Sequence, residues 1–386
     1  MKSFMFFPEV KWNATPIAQI SRKLASMFLC LGLSLIFAFA TAAVAQEPTA
    51  TITEFQAPGA GTATLQGTLA VTINTSGEIA GYYYDSTGVT HGYVRSTSGT
   101  FTTFDVTGAG TAKGQGTFGG EINTDGTIAG NYTDGSGVHH GFVRTSAGAI
   151  TTFSVASAGT ASGQGTQCCG LNTAGTAAGY YIDKNTVWHS FIRTAGGAIK
   201  TYSVTGAGNG AKQGTAGLAI NNSGTVAGFY IDKNGVYHGY VRTSAGVITT
   251  FDVTGAGTGA KQGTVPLGIN NAGTIVGNYF DSAGKSHGFL RSSAGVITTF
   301  DVTGALLTSA VAINTGGTIT GYYANSKSVV RGFQRTPAGS ISTFAATDAG
   351  TTGGTGTLPF GINTAGEIVG YYQNSTFLFG GFLRTK

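Results

Sequence analysis

The sequence predicts an all-β fold, a seven-bladed β-propeller with four strands in each blade. The first observation is a period: an asparagine returns seven times at steps of 49 residues, with one step of 44. The positions are Asn74, Asn123, Asn172, Asn221, Asn270, Asn314 and Asn363. A period of this length, held over seven copies, is typical of a repeat architecture in which each copy packs on its neighbours.

The second observation is the pattern inside one copy. Between Pro266 and Gly304 there are four short apolar runs, at 267–270, 274–280, 287–291 and 296–302. The runs are rich in β-branched and aromatic residues and too short for helices, and Gly-containing turn sequences separate them. Each repeat is therefore predicted to form four antiparallel strands, a to d. A four-stranded repeat of about 40–50 residues is a propeller blade.

The third observation concerns the two ends of the chain. The motif of strand d, a threonine shortly before an aromatic residue, follows only six of the repeats. It ends at Phe104, Phe153, Tyr202, Phe251, Phe300 and Phe344. Residues 50–61 match this motif, so we expect them to supply the outer strand of the last blade. Such a strand closes the ring and leaves no unpaired edge. An open solenoid is the alternative, and it needs polar caps.

Residues 1–45 are predicted to be a secretory signal peptide. Four basic residues precede an apolar run at 24–40, and Ala43-Val44-Ala45 offers a cleavage site after Ala45. We therefore expect a secreted or periplasmic protein in which residues 46–386 form a single propeller domain without a membrane span. An uncleaved N-terminal anchor is the alternative.

The predicted mature chain carries little net charge. Four basic residues and Glu9 lie in the signal peptide, which leaves 17 basic against 15 acidic residues. There is no run of Lys and Arg, so we expect no nucleic-acid partner. We expect a monomer with no cofactor.

Two cysteines stand side by side, Cys168 and Cys169, in the predicted strand a of the third repeat. One interpretation is a pair of small buried apolar residues. The other is a strained vicinal disulfide, which an oxidising compartment favours.

Comparison of the seven repeats separates two sets of residues. Asn74, Gly81, Tyr83 and Arg95 have an equivalent in every repeat, which indicates a role in packing and turns. We expect the asparagine to bond its own turn, the strand glycine to allow close approach between blades, and the arginine to lie over aromatic rings between blades.

The second set is present in repeats one to five and absent from repeats six and seven. It consists of a glutamine before strand a, an aspartate in the b–c turn and a histidine that opens strand c. The glutamines are Gln66, Gln115, Gln164, Gln213 and Gln262; the aspartates are Asp85, Asp134, Asp183, Asp232 and Asp281; the histidines are His91, His140, His189, His238 and His287.

Antiparallel topology puts this second set on one rim of the ring and the asparagines on the other. The set is either a hydrogen-bond network that pins the connections or a repeated site for a hydroxyl-rich or charged ligand. One Asp–His pair per repeat offers too few ligands for a tight metal site. The residue before each histidine varies, and Trp188 and Tyr237 are predicted to be exposed and able to stack on a sugar or meet a protein.

The repeats also resemble a known family. Gly-Ile-Asn-x-x-Gly-x-Ile-x-Gly, followed by His-Gly-Phe at 287–289 or His-Gly-Tyr at 91–93, resembles the extracellular HAF repeat family. The resemblance covers residues 69–384 and implies an exported bacterial repeat protein. The family implies no defined catalytic residue or ligand.

Three functions remain open at this point. No nucleophile–base set, metal motif or phosphate loop is present, so we expect a non-catalytic module that binds or scaffolds at the cell surface or in the periplasm. The first alternative is a multivalent lectin-like binder that uses the glutamine, aspartate and histidine set. The second is a polysaccharide-cleaving enzyme, which requires acidic residues that meet at the ring axis.

Overall fold

The computed structural model describes residues 50–386, and the predicted signal peptide lies outside the described residues. Every regular element in the described range is a β-strand. The 28 strands form an all-β repeat fold, consistent with seven repeats of four antiparallel strands. In this range no helix has the length and apolarity that a membrane span requires.

The strands follow the seven repeats in order. The first strand is β1 (Thr51–Phe55). Repeat one contains β2 (Gly67–Ile73), β3 (Ile79–Tyr84), β4 (Thr90–Arg95) and β5 (Phe101–Phe104); repeat two β6 (Gly116–Ile122), β7 (Ile128–Thr133), β8 (His139–Arg144) and β9 (Ile150–Phe153); repeat three β10 (Gly165–Leu171), β11 (Ala177–Ile182), β12 (Trp188–Arg193) and β13 (Ile199–Tyr202). Repeat four contains β14 (Gly214–Ile220), β15 (Val226–Ile231), β16 (Tyr237–Arg242) and β17 (Ile248–Phe251); repeat five β18 (Gly263–Ile269), β19 (Ile275–Phe280), β20 (Ser286–Arg291) and β21 (Ile297–Phe300). Repeat six contains β22 (Leu307–Ile313), β23 (Ile319–Ala324), β24 (Val330–Arg335) and β25 (Ile341–Phe344), and repeat seven β26 (Gly356–Ile362), β27 (Ile368–Gln373) and β28 (Phe379–Thr385).

The N-terminal strand β1 supplies the fourth strand of repeat seven. It pairs antiparallel with β28, with Ile52 opposite Arg384 and Phe55 opposite Gly381. Repeat seven also meets repeat one through a parallel bridge between Phe379 and Gly67. The same bridge joins earlier neighbours, for example Thr90 with Gly116.

The seven repeat-wide asparagines form a circle of hydrogen bonds. Each Nδ2 donates to the backbone carbonyl of the equivalent asparagine in the next repeat, over 3.0 to 3.3 Å. The last of these bonds runs from Asn363 back to Asn74. The Oδ1 atom accepts backbone N–H groups of its own turn, as Asn270 does from Ala272 and Thr274. The sequence predicted the turn bonds, and the links between repeats are an additional finding.

The repeat-wide arginines lie over aromatic rings of the preceding repeat, as the sequence predicted. Each guanidinium carbon is 4.8 or 4.9 Å from the ring centroid of the aromatic residue that ends the neighbouring strand d. Arg95 of repeat one covers Phe55 of β1. This contact adds a cation–π attraction to the burial of both side chains.

The strand glycine of repeat one has close contacts within its own repeat in addition to the predicted approach to the next repeat. A Cβ atom on Gly81 would collide with the carbonyl oxygen of Leu69 and with the ring of Tyr93. Both residues belong to the same repeat as Gly81. The glycine therefore makes room for the strand a carbonyl and the strand c ring of its own repeat, and its carbonyl also lies close to Gly119 of the next repeat.

The two cysteines are free thiols on β10. Cys168 is buried and Cys169 is half-buried. Burial raises the pKa of the Cys168 thiol to about 12, so the thiol is protonated and unreactive at neutral pH.

Removing the first strand should destabilise the protein. A chain that begins after Phe55 leaves β28 without its ladder partner and Arg95 without the ring beneath it, so we expect a lower melting temperature and association through the exposed edge. Thermal melting and light scattering after size exclusion measure both effects. A chain that begins at Ala50 is the control, and equal behaviour of the two would contradict the role of β1.

Asn270→Ala should lower the free energy of unfolding by about 2 kcal/mol, because a buried asparagine that bonds two repeats is lost. Asn209→Ala, at an exposed asparagine, is the matched control and should change it by less than about 0.5 kcal/mol. Urea unfolding of both variants measures the difference. Equal stability of the two variants would show that the asparagine circle contributes nothing.

Candidate functional site

The glutamine, aspartate and histidine set lies on the rim that carries the b–c turns and the connections between repeats, here named the connection rim. The connections touch these turns directly. Gly114 N–H, for example, donates to the Gly88 carbonyl, and Lys212 N–H donates to the Thr186 carbonyl. The asparagine circle lies on the opposite rim.

The five glutamines tie each connection to a b–c turn. Each Nε2 donates to the backbone carbonyl of the residue that follows the turn aspartate, as Gln66 does to Ser86 over 2.8 Å. Each Oε1 accepts a backbone N–H from its own connection, as Gln66 does from Ala63. Both polar atoms of the side chain are therefore engaged within the fold.

The five aspartates shape the b–c turns. Asp85 Oδ1 accepts the backbone N–H groups of Thr87 and Val89, and the other four make the equivalent bonds. Partial burial opposes ionisation of Asp85, but the bonds from Thr87 and Val89 outweigh it, and the pKa of this carboxyl lies below its usual value.

Each histidine ring is held on three sides. It stacks on the strand b tyrosine of its own repeat, as His91 does on Tyr83 with ring centroids 5.0 Å apart. Its Nε2 faces the turn aspartate at distances between 3.1 and 3.8 Å. Its Nδ1 bonds a side chain just after strand d, at Asp105, Ser154, Ser203, Asp252 or Asp301.

The structure thus joins the predicted residues in two groups. The aspartate and histidine side chains contact each other, whereas the glutamine side chain donates a hydrogen bond to a backbone carbonyl of the same turn. The partner after strand d was missed. The sequence did contain a signal for it, because the partner changes together with the histidine. In repeats six and seven, where Arg331 and Gly380 replace the histidine, the partner positions are Ala345 and Gln56. In repeat seven the ring of Tyr372 fills the space that a side chain on Gly380 would need.

The two predicted contact aromatics are less exposed than expected. Trp188 and Tyr237 are half-buried. Trp188 packs against Tyr180 and Phe229, and Tyr237 packs against Phe229 and Phe280, so both lie in an aromatic row between repeats. The prediction of freely exposed rings is wrong because neighbouring repeats cover them.

The first strands of the seven repeats, β2, β6, β10, β14, β18, β22 and β26, are here named the inner strands, and they carry one carboxyl, Glu121 on β6. Burial raises the pKa of Glu121 to about 8, and its charge in turn raises the pKa of Cys168 and Cys169, which identifies the thiols of β10 as neighbours. No second acidic residue lies on an inner strand of the described range. Within residues 50–386, no group of three or more His, Cys, Asp or Glu side chains is arranged to hold a metal ion.

No family model matches the chain, and no curated protein matches it. Among solved structures, the chain is similar to BP39L lectin from Burkholderia pseudomallei, with 11% identity and a TM-score of 0.53 over 81% of this chain and 94% of the lectin. It is also similar to a prolyl endopeptidase structure, with 10% identity and a TM-score of 0.53 over 82% of this chain and 50% of that chain. These similarities show a propeller-like fold.

Asp252→Asn should lower the pKa of His238. The hydrogen bond to Asp252 raises this pKa above its usual value of about 6.5 despite partial burial. The stabilisation is fully present below about pH 6.5 and is lost as the pH rises through the folded-state pKa. We therefore expect Asp252→Asn to weaken the fold at about pH 6 and to leave it unchanged at about pH 9.

NMR titration of His238 and urea unfolding at the two pH values test this expectation. Asp125→Asn, at an exposed carboxylate on the opposite rim, is the control. A His238 titration that is the same in Asp252→Asn as in the native protein would contradict the assigned cause.

Proposed function

We propose that this chain is a closed seven-bladed β-propeller that acts as a non-catalytic, exported binding module of the HAF repeat type and binds its ligand on the connection rim. Closure is supported by the contacts between repeats seven and one. The Phe379–Gly67 bridge, the Asn363–Asn74 bond and the Arg95–Phe55 pair repeat the contacts that join earlier neighbours.

The observation that carries the binding assignment is a contrast within the connection rim. The backbone of each b–c turn is held by the same bonds from repeat to repeat, while the side chain after the aspartate changes. The residue at this position is Ser86, Gly135, Lys184, Lys233 or Ser282 in repeats one to five. A fixed backbone that presents different side chains suits a recognition surface, because the surface needs little ordering on binding.

The glutamine, aspartate and histidine set supports this rim from within. The Gln atoms, Asp Oδ1 and His Nδ1 are engaged by backbone or side-chain partners inside the fold. We therefore assign the set to holding the turns and the connections, and we place ligand contact on the residues that the turns present.

A lectin-like binder that contacts ligand through the histidines is the second candidate. It is favoured by the geometry at Nε2, which faces the aspartate at up to 3.8 Å on side chains that are 16% to 28% exposed. A sugar hydroxyl bridging Nε2 and Oδ2 would give five equivalent sites.

A glycan array on the purified protein, followed by a reducing-end assay on each bound glycan, tests the proposed function. We expect binding to at least one glycan class without release of product. Absence of binding to every glycan would contradict a carbohydrate ligand, and steady release of reducing ends would contradict the non-catalytic assignment. The single carboxyl on the inner strands supports binding without cleavage, since glycoside hydrolysis commonly uses two.

His238→Ala distinguishes a histidine that holds the turn from a histidine that contacts the ligand. If the histidine holds the turn, the free energy of unfolding falls by about 1–2 kcal/mol, because Asp232 and Asp252 lose their partner, while the number of bound ligands stays constant. Calorimetric titration with a glycan identified on the array, followed by a thermal melt, measures both. A drop in stoichiometry with unchanged stability would favour direct contact by the histidines. Asn270→Ala is the control, with lowered stability and intact binding expected.

A further inference from the structure

The fold gathers most lysines of the described chain on one rim. Residues 50–386 contain nine lysines, and seven lie in the b–c turns or the connections of the connection rim. They are Lys113, Lys184, Lys212, Lys233, Lys261, Lys285 and Lys327. The seven repeat-wide arginines lie elsewhere, packed over aromatic rings between repeats. Free basic side chains are therefore concentrated on one face.

Charge on this rim is unevenly distributed around the ring. Repeats three to six carry seven basic residues, here named the basic arc: Lys184, Lys212, Lys233, Lys261, Lys285, Lys327 and Arg331. The same sector carries five aspartates, Asp183, Asp232, Asp252, Asp281 and Asp301. The sector of repeats seven, one and two has only Lys113 on this rim, against four aspartates, Asp85, Asp105, Asp134 and Asp348. One half of the rim is therefore basic and the other acidic.

The basic and acidic groups of the arc also differ in how far they project. The turn aspartates Asp183, Asp232 and Asp281 are 20%, 19% and 29% exposed, and their Oδ1 atoms accept backbone N–H groups. The lysines are exposed, except that Lys285 is half-buried and lies 3.9 Å from Asp301. Asp252 and Asp301 are more exposed, at 52% and 34%, but each bonds a histidine Nδ1. An approaching ligand therefore meets the ammonium groups before the turn carboxylates.

Two of the lysines occupy unusual backbone positions. Lys212 and Lys261 have φ angles of 63° and 66°, and the equivalent residues in repeats two and three are Gly114 and Gly163. The left-handed region costs energy for a residue with a Cβ atom, and glycine avoids this cost. The equivalent residue of repeat one, Leu65, has a φ angle of 62°, so the conformation belongs to the connection and repeats four and five place a lysine in it.

We propose that the basic arc binds an acidic polysaccharide, one that carries a carboxylate or sulfate on each sugar or each disaccharide. The inference rests on the proposed function and specifies the ligand class of that rim. The arc offers one or two ammonium groups per repeat, with the recessed turn carboxylates between them. This pattern matches a chain of spaced charges. It is poorly suited to duplex DNA, whose charges follow one another every ~1.7 Å and would be repelled by the aspartates.

Binding to polygalacturonate, alginate and heparin tests the proposal. We expect the native protein to bind at least one of them, with affinity that falls between about 50 mM and 200 mM salt because counterions are released. A neutral galactan, duplex DNA and vesicles of anionic phospholipid are the comparison probes, and each should bind at least tenfold more weakly. Equal or tighter binding of DNA or vesicles would overturn the choice of partner.

Lysine variants locate the site. K184Q/K212Q/K233Q/K261Q should lose at least tenfold in affinity for the acidic polysaccharide, whereas K113Q/K200Q/K386Q, which removes lysines outside the arc, should stay within twofold. Exposed Lys→Gln changes leave the melting temperature unchanged, and a melt of each variant confirms folding. Equal affinity of the two variants would overturn the assignment to the arc.

Failure of this inference and failure of the proposed function give different results. Array binding to neutral glycans that survives in the quadruple variant, with no binding of the three acidic polymers, rejects the acidic ligand and leaves the binding module standing. No binding to any array glycan or to any of the three polymers rejects both the acidic ligand and a carbohydrate-binding module.

Discussion

The circle of asparagine hydrogen bonds is the constraint on which the rest of this structure depends. The Oδ1 atom of each asparagine accepts hydrogen bonds from its own turn, and its Nδ2 atom donates to the asparagine carbonyl of the next repeat. Because Asn363 donates back to Asn74, the bond that links consecutive repeats also links repeat seven with repeat one. The arginine–aromatic contacts between strands c and d then follow at nearly constant distance. The outer side of β28 is covered in the same way, because β1 pairs with it along its length.

On the connection rim, the backbone is regular from repeat to repeat but the side chains are not. Its backbone is held by glutamine and aspartate side chains whose hydrogen bonds recur from repeat one to repeat five. The histidines, stacked on tyrosines, connect the turns with the residues after strand d. Side chains at the tips of these turns are free to differ, and the differences produce a basic half and an acidic half. A backbone held by hydrogen bonds and side chains that differ between repeats thus occur on the same rim, a combination that suits recognition.

The sequence predicted the residues of this rim more completely than their contacts. The glutamine, aspartate and histidine positions were found because all three are replaced in repeats six and seven. The partner of His91, Asp105, was missed because it lies 14 residues away, across strand d. The contacts of the strand glycine within its own repeat were missed, and the tryptophan was misjudged, for a related reason. Contacts of Gly81 depend on the packing of three strands in one repeat, and burial of Trp188 depends on the neighbouring repeat.

The sequence by itself determined the number of repeats, the strand pattern within each and the N-terminal strand that matches strand d. These features follow from local rules, since alternation, turn residues and period are set by residues close together in the chain. The tertiary structure decided which repeats touch, which aromatic rings are covered and where the lysines gather. No Lys/Arg run exists along the chain, yet Lys184, Lys212, Lys233 and Lys261 share one half of one rim. Electrostatic potential depends on distance in space, and packing of the repeats brings together charges that the sequence keeps more than 20 residues apart.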